Sequence, residues 1–129
     1  MTDTEGIRAT EELPAPGTAT APGPLAGVRV LEVGDEHGDY AGLLCAGLGA
    51  TVIKVEPPEG SPSRRLGPFY PAGASDVVGD GLGGGEARDR SLYFWGYNRG
   101  KRSVVLDLDS AAGRTGLDQL LSEADVLID

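Results

Sequence analysis

At 129 residues, 40% of them hydrophobic, the chain has the length and apolar content of one ordinary globular domain. Its formal charge of −9, from 20 acidic against 11 basic residues, excludes non-specific binding to nucleic acid or to anionic lipid, since both need a positive field. Any anionic ligand has to be held by a local basic cluster.

Residues 1–23 are rich in Thr, Ala, Pro, Gly and Glu and are expected to form a disordered leader. They lack the charged-then-apolar pattern of a secretory signal, and no apolar run in the chain reaches membrane-spanning length. The ordered part opens at "PLAGVRVLEVG", where Val28, Val30, Leu31 and Val33 make a short buried strand ended by Gly34. "DYAGLLCAGLGA" predicts a helix over 39–48, with Asp39 as N-cap and Gly49 near the C-cap. It is apolar nearly all round, so it is buried, and its small residues Gly42, Ala46 and Gly47 allow close packing. Cys45, the only cysteine, falls inside it as a small core residue. A lone thiol builds no disulfide framework and suits the reducing cytoplasm. "TVIKVE" (Thr51–Glu56) is a second strand, completing a right-handed parallel βαβ unit.

From 57 to 90 proline and glycine punctuate the chain, and "GDGLGGGE" is too flexible for an element interior, so a long loop is expected there. "SLYFWGYN" concentrates Tyr93, Phe94, Trp95 and Tyr97 in five positions; periodicity leaves strand and short helix open. "SVVLDLD" predicts a third strand. Ser110 or Asp109 then caps a helix in which Leu117, Leu120, Leu121 and Ala124 recur at i, i+3, i+4 and i+7. "DVLID" is a fourth strand of buried type, which reads as an interior piece of something longer. Alternating strands and helices indicate an α/β fold with a parallel sheet and covering helices.

The first strand–helix turn, "VGDEHGDYAG", spaces its glycines by four, which is not the dinucleotide fingerprint G-x-G-x-x-G. Glu56 stands where a ribose-binding acid would be, but Asp35, Glu36 and Asp39 put three carboxylates at a helix start, where they repel a pyrophosphate. A structural turn is favoured. His37 is the only histidine; no second histidine or thiol is near enough in sequence for a metal site, and an exposed turn histidine is the simpler reading. Two basic clusters flank the long loop: Arg64 with Arg65, and Arg99, Lys101 and Arg102 in "YNRGKRSVVLDLDS". They suit either the grip on a phosphate-bearing ligand or solvated charges that balance Glu56 and Glu59 and keep a strand entrance soluble. Composition leaves both open.

With these residues in hand, the chain resembles the class III CoA-transferases, the CaiB/BaiF family. The matching stretches are "PLAGVRVLEVG", "YAGLLCAGLGATVIKVEPPEGSPSRRLGPF", "SLYFWGYNRGKRSVVLDLDS" and "LLSEADVLID", covering 24–129 in that order. The resemblance implies the N-terminal part of a large domain with a Rossmann-like parallel sheet, in a protein whose two subunits interlock as a homodimer. It implies movement of CoA between carboxylic acids: an aspartate attacks the acyl-CoA thioester to give a mixed anhydride. Coenzyme A or acyl-CoA and an acceptor acid are then substrates, no cofactor is permanently bound, and neither nucleic acid nor membrane is a partner. Related members are acyl-CoA racemases, which move a proton α to the thioester.

Carried over residue by residue, the family's CoA contacts fall on Glu36 and His37 in the first turn and on Leu106, Asp107, Leu108 and Asp109. Arg99, Lys101, Arg102, Arg64 and Arg65 are the candidates to hold CoA phosphates. The usual Ala-Gly-Pro stands here as His37-Gly38-Asp39, a neutral contact becomes Glu36, and an arginine used by some members aligns with Pro57. The family's nucleophilic aspartate and glycine-rich loop lie beyond the point matching Asp129. No catalytic residue is therefore expected in these 129 residues, which should not transfer CoA unaided. A non-catalytic CoA-binding remnant is the alternative from another class.

Overall fold

The structure, a computed structural model, describes residues 22–70 and 90–129. Nearly all of the expected leader, and the part of the expected loop that holds "GDGLGGGE", lie outside them. Strands β1 (Arg29–Glu32), β2 (Thr51–Glu56), β3 (Arg102–Val105) and β4 (Val126–Ile128) form one parallel sheet in the order β3-β2-β1-β4. Three α-helices connect them: α1 (Glu36–Gly47), α2 (Leu92–Asn98) and α3 (Ala111–Glu123), with a 3-10 turn at Pro62–Arg65. The chain steps from β1 outward to β3, then crosses back to β4 on the far side of β1. Right-handed crossovers therefore put α1 and α2 on one face and α3 on the other. α1 packs on β1, β2, β4 and α2, while α3 meets β1.

Helix α1 begins three residues before the expected start. Gly34, at φ +117°, takes the chain out of β1, and Asp35 is the N-cap, its side chain accepting the His37 N–H. Asp39 is therefore not a cap: the extra turn carries it over the sheet, where it is fully buried. The far end is as expected, with Leu48 as C-cap and Gly49 following at φ +98°. "SLYFWGYN" is resolved as a helix, because Ser91 caps it by accepting the Phe94 N–H. The third strand is shorter than expected. The chain leaves the sheet after Val105, and 106–109 form the turn into α3, which Ser110 caps through the Gly113 N–H.

Strand alternation gives the sheet an α1 face that changes character along its length. Its first tier is aliphatic: Val30, Ala50 and Val52 pack with Leu25, Val28, Cys45, Ala46 and Ile128. The next residues on the same face are Glu32 and Lys54, paired directly in the β1–β2 register, with Ser103 beside Lys54 on β3. On the opposite face α3 leaves a groove of ≈ 290 Å³, floored by Leu31 and Ile53 and edged by Arg29, Arg102 and Leu120. At the sheet edge Val126 and Leu127 of β4 are exposed.

Gly42 in α1 and Gly113 in α3 each mark a close approach. A Cβ on Gly42 would fall inside the contact radius of Glu32 Oε2 and 2.9 Å from Lys101 Nζ, and one on Gly113 would strike the Asp107 backbone. Gly42→Ala and Gly113→Ala should each destabilise the fold by about 2 kcal/mol or more. Gly96→Ala in α2, where a Cβ meets nothing within 4 Å, should stabilise it by about 0.5–1 kcal/mol. Thermal unfolding of the three variants checks the contrast.

Candidate functional site

The charged tier is a closed ring. Lys54 Nζ donates to Glu32 Oε1 at 2.7 Å and to Asp39 Oδ1 at 2.6 Å. Lys101, in the turn ahead of β3, donates to Glu32 Oε2 at 2.7 Å, to the Asp39 main-chain oxygen at 2.8 Å and to Asn98 Oδ1 at 2.9 Å. Asn98 Nδ2 closes the ring on Asp39 Oδ2 at 2.8 Å. Two ammonium groups face two carboxylates, and no buried side-chain polar atom among the described residues lacks a partner. Burial pushes the Asp39 carboxyl up, but the hydrogen bonds from Lys54 and Asn98 outweigh it and hold the group below its ordinary value. Burial pushes Lys54 down, and its bonds to Asp39 and Glu32 likewise outweigh it and raise the ammonium.

A second centre forms at the end of β2. Buried Glu56 accepts the Ser61 N–H at 2.9 Å, Arg64 Nε at 2.6 Å, Arg64 Nη2 at 2.9 Å and the Ser103 hydroxyl at 2.5 Å. Arg64 lies over the Phe94 ring, 3.8 Å from its centroid, so it ties the turn after β2 to α2. Burial pushes the Glu56 carboxyl up, yet Arg64, Ser103 and the Ser61 N–H bring it down to about 2. With both oxygens so engaged, Glu56 does not offer a carboxylate to a ribose, which removes the acid a dinucleotide site would need.

In open parallel sheets, ligands bind beyond the C-terminal strand ends where the strand order reverses. Here that point lies between β1 and β4. The turn after β1 sits against the end of β4: a Cβ on Gly34 would come within 3.7 Å of Asp129 Oδ1. Glu36 and His37 open α1 at this crevice. The exposed His37 ring stands with Nδ1 2.8 Å from Asp35 Oδ1, which also accepts the His37 N–H at 3.0 Å. That side-chain hydrogen bond, aided by the charges of Asp35 and Glu36, raises His37 above 6.5. Asp35 is lowered, first by the His37 backbone N–H.

The segment 106–109 lies past the end of β3, two strand spacings or roughly 10 Å across the sheet from the β1 turn. The Leu106 N–H donates to the Glu56 main-chain oxygen, and Asp107 Oδ1 accepts the Asp109 N–H. Arg114 donates to the main-chain oxygens of Leu108 and Asp109, which leaves the Asp107 and Asp109 side chains exposed.

The basic residues are not gathered together. Lys101 points inward with its three donors engaged, Arg102 sits at the groove on the opposite face, and Arg99 is exposed at the C-cap of α2. Arg64 belongs to the Glu56 centre, as the charge-balancing reading expects, and Arg65 is exposed beside it. Sequence reasoning assigned Glu32, Lys54 and Asn98 no part and read Asp39 as a cap. The available signal was a pair of opposite charges inside otherwise apolar strands, facing a helix with glycine at position 42.

A family profile for CoA-transferase family III matches residues 25–129. The chain belongs to that family. It is 40% identical over 101 residues to the Thauera aromatica protein named succinyl-CoA:(R)-benzylsuccinate CoA-transferase subunit BbsE, covering 78% of this chain and 22% of that one. It is 39% identical over 107 residues to succinate–glutarate CoA-transferase of Agrobacterium fabrum, covering 82% of this chain and 24% of the relative. A crystal structure of a CaiB/BaiF family protein from Brucella suis superposes with a TM-score of 0.65 at 36% identity, over 83% of this chain and 25% of that one. The chain thus spans about a quarter of the length of the relatives it matches.

Two titrations test the site. The Glu56 carboxyl is lowered from 4.5 to about 2, so the stability it contributes is complete above pH 4.5 and is lost as pH falls from there towards 2. Glu56→Gln should lose on the order of 3 kcal/mol at neutral pH and show a flatter fall of unfolding midpoint between pH 4.5 and 2. In NMR titrations His37 should titrate above 6.5, and Asp35→Asn should bring it down towards that value.

Proposed function

We propose that the chain supplies the N-terminal, CoA-binding portion of a CoA-transferase that moves CoA between carboxylic acids. The nucleophilic aspartate belongs to polypeptide outside these 129 residues. The observation that carries the reading is the position of the β1 turn. Glu36 and His37 open a helix at the crevice where strand order reverses, the place a parallel sheet offers a ligand. Asp107 and Asp109 are exposed along the same C-terminal edge and offer polar groups to an extended ligand.

In this reading Glu36, His37 and the 106–109 turn contact CoA, with the exposed Arg99 and Arg65 left as the phosphate-side charges, since Arg64 is engaged by Glu56 and Arg102 sits at the groove on the opposite face. The acidic first turn of α1 makes this a poor place for a pyrophosphate, so its contacts are assigned to the neutral and donor-bearing parts of CoA. No described helix is long and apolar enough to cross a membrane, and Cys45 is a free thiol; a cytoplasmic setting without a nucleic-acid partner follows the same reading. Exposed Tyr40, Leu44, Trp95 and Tyr97 on α1 and α2 supply apolar surface that further polypeptide would bury, in keeping with an interlocked homodimer. The family's other chemistry, racemisation of acyl-CoA, uses the same handle and differs in residues outside this chain.

The test is thermal unfolding of the chain with CoA, succinyl-CoA or NAD. Succinyl-CoA is included because the similar Thauera aromatica protein has it in its name. CoA and succinyl-CoA should raise the midpoint, NAD should not, and His37→Ala or Asp107→Ala should reduce the shift. A cooperative transition that NAD raises and CoA leaves unmoved would overturn the reading.

A further inference from the structure

Lys101 was the centre of the basic cluster from which a phosphate grip is expected, yet its side chain is only 2% exposed and its three protons rest on Glu32, Asp39 and Asn98. One of those acceptors is a main-chain oxygen, that of Asp39, in the first turn of α1. The residues three and two positions earlier are Glu36 and His37. Lys54 holds the Asp39 carboxylate, and Asn98 holds its other oxygen from α2. Backbone and side chain of Asp39 are thus both fixed, from three directions, by groups on β2, α2 and the turn ahead of β3. Gly42, one turn further on, lets the helix descend onto this ring. Buried ion pairs stabilise little once desolvation is counted, and their best-attested use is to fix one arrangement among several.

We propose that Lys101 is a positioning residue: with Lys54 and Asn98 it sets the Asp35–His37 turn through Asp39, and it acts on a ligand at that turn only at one remove. The ligand part rests on the CoA reading; the positioning part does not. Without Lys101 the first turn of α1 loses the bond to the Asp39 main-chain oxygen and the 3.9 Å ion pair with its carboxylate, keeping only Asn98 and Lys54 on the side chain, and the N-cap contact between Asp35 and His37 loosens.

The variant that isolates this is Glu32→Gln with Lys101→Met. It removes one charge of each sign and so leaves no net buried charge behind. Asn98→Ala, which takes one partner from each of Lys101 and Asp39 without altering any charge, is the milder second variant.

The first readout is ligand-free. His37 in either variant should titrate closer to 6.5 than in the parent chain, and the amide signals of 36–38 should shift. A lysine that merely met a phosphate would leave both unchanged. The second readout is CoA affinity, expected to fall by about tenfold in the double variant, with the dependence on salt unaltered because no phosphate contact is lost. If either variant unfolds cooperatively but keeps the parent His37 titration and 36–38 amide signals, the positioning role is overturned. If those signals move while the parent chain shows no affinity for CoA, the positioning role stands and the CoA reading fails. If CoA affinity falls with a reduced salt dependence and no ligand-free change, Lys101 is a direct phosphate contact and the proposal is wrong.

Discussion

The chain has two lysines, and both are buried in one ring with Glu32, Asp39 and Asn98. Most of the architecture on the α1 face refers to that ring. It joins the end of β1 to β2 through Glu32 and Lys54, draws in the residue ahead of β3 through Lys101, and fastens α2 through Asn98. Removing one member of such a set leaves a buried charge unpaired, at a cost of about 3–5 kcal/mol, whereas the intact ring contributes little net stability. Its effect is on geometry. It determines where α1 begins relative to the sheet, and hence where the crevice residues stand.

The Glu56 centre extends the same logic along β2. Below the ring the sheet is held by aliphatic contacts among Val30, Ala50 and Val52; above it, Glu56, Ser61, Ser63, Ser91 and Ser103 replace them with hydrogen bonds. Directional contacts of this kind specify the path of a loop in a way that aliphatic packing does not. The turn at Pro62–Arg65 and the start of α2 at Ser91 are both consequences. The Ser91 hydroxyl reaches the main-chain oxygen of Leu66 and accepts the Phe94 N–H, so it joins the two segments and caps the helix.

Much of the fold was legible in the sequence. Apolar runs located the four strands, Ser110 and Gly49 marked helix ends, and alternation of strand and helix implied the parallel sheet. What was hidden is non-local. Glu32 and Lys54 are single charges within apolar strands, 22 residues apart in sequence; only the register that sets them side by side, and the helix laid over them, makes them a buried pair. Asp39 looked like a cap because it heads an apolar run, but Gly34 and Asp35 had already turned the chain into a helix. The cluster Arg99, Lys101 and Arg102 looked like a single positive patch because spacing in sequence ignores strand alternation, which sends Arg102 and the neighbouring Ser103 to opposite faces. The candidate ligand turn at Glu36 and His37 was reached through family resemblance, and its reason for being there, the reversal of strand order, is visible only in the assembled sheet.

The most direct measurement is to treat the folded chain with an amine-reactive reagent and locate the adducts by mass spectrometry. With both ammonium groups engaged in the ring, Lys54 and Lys101 should stay unmodified under native conditions and react only after unfolding. Labelling of Lys54 and Lys101 in the folded chain at the rate of exposed lysines would contradict it.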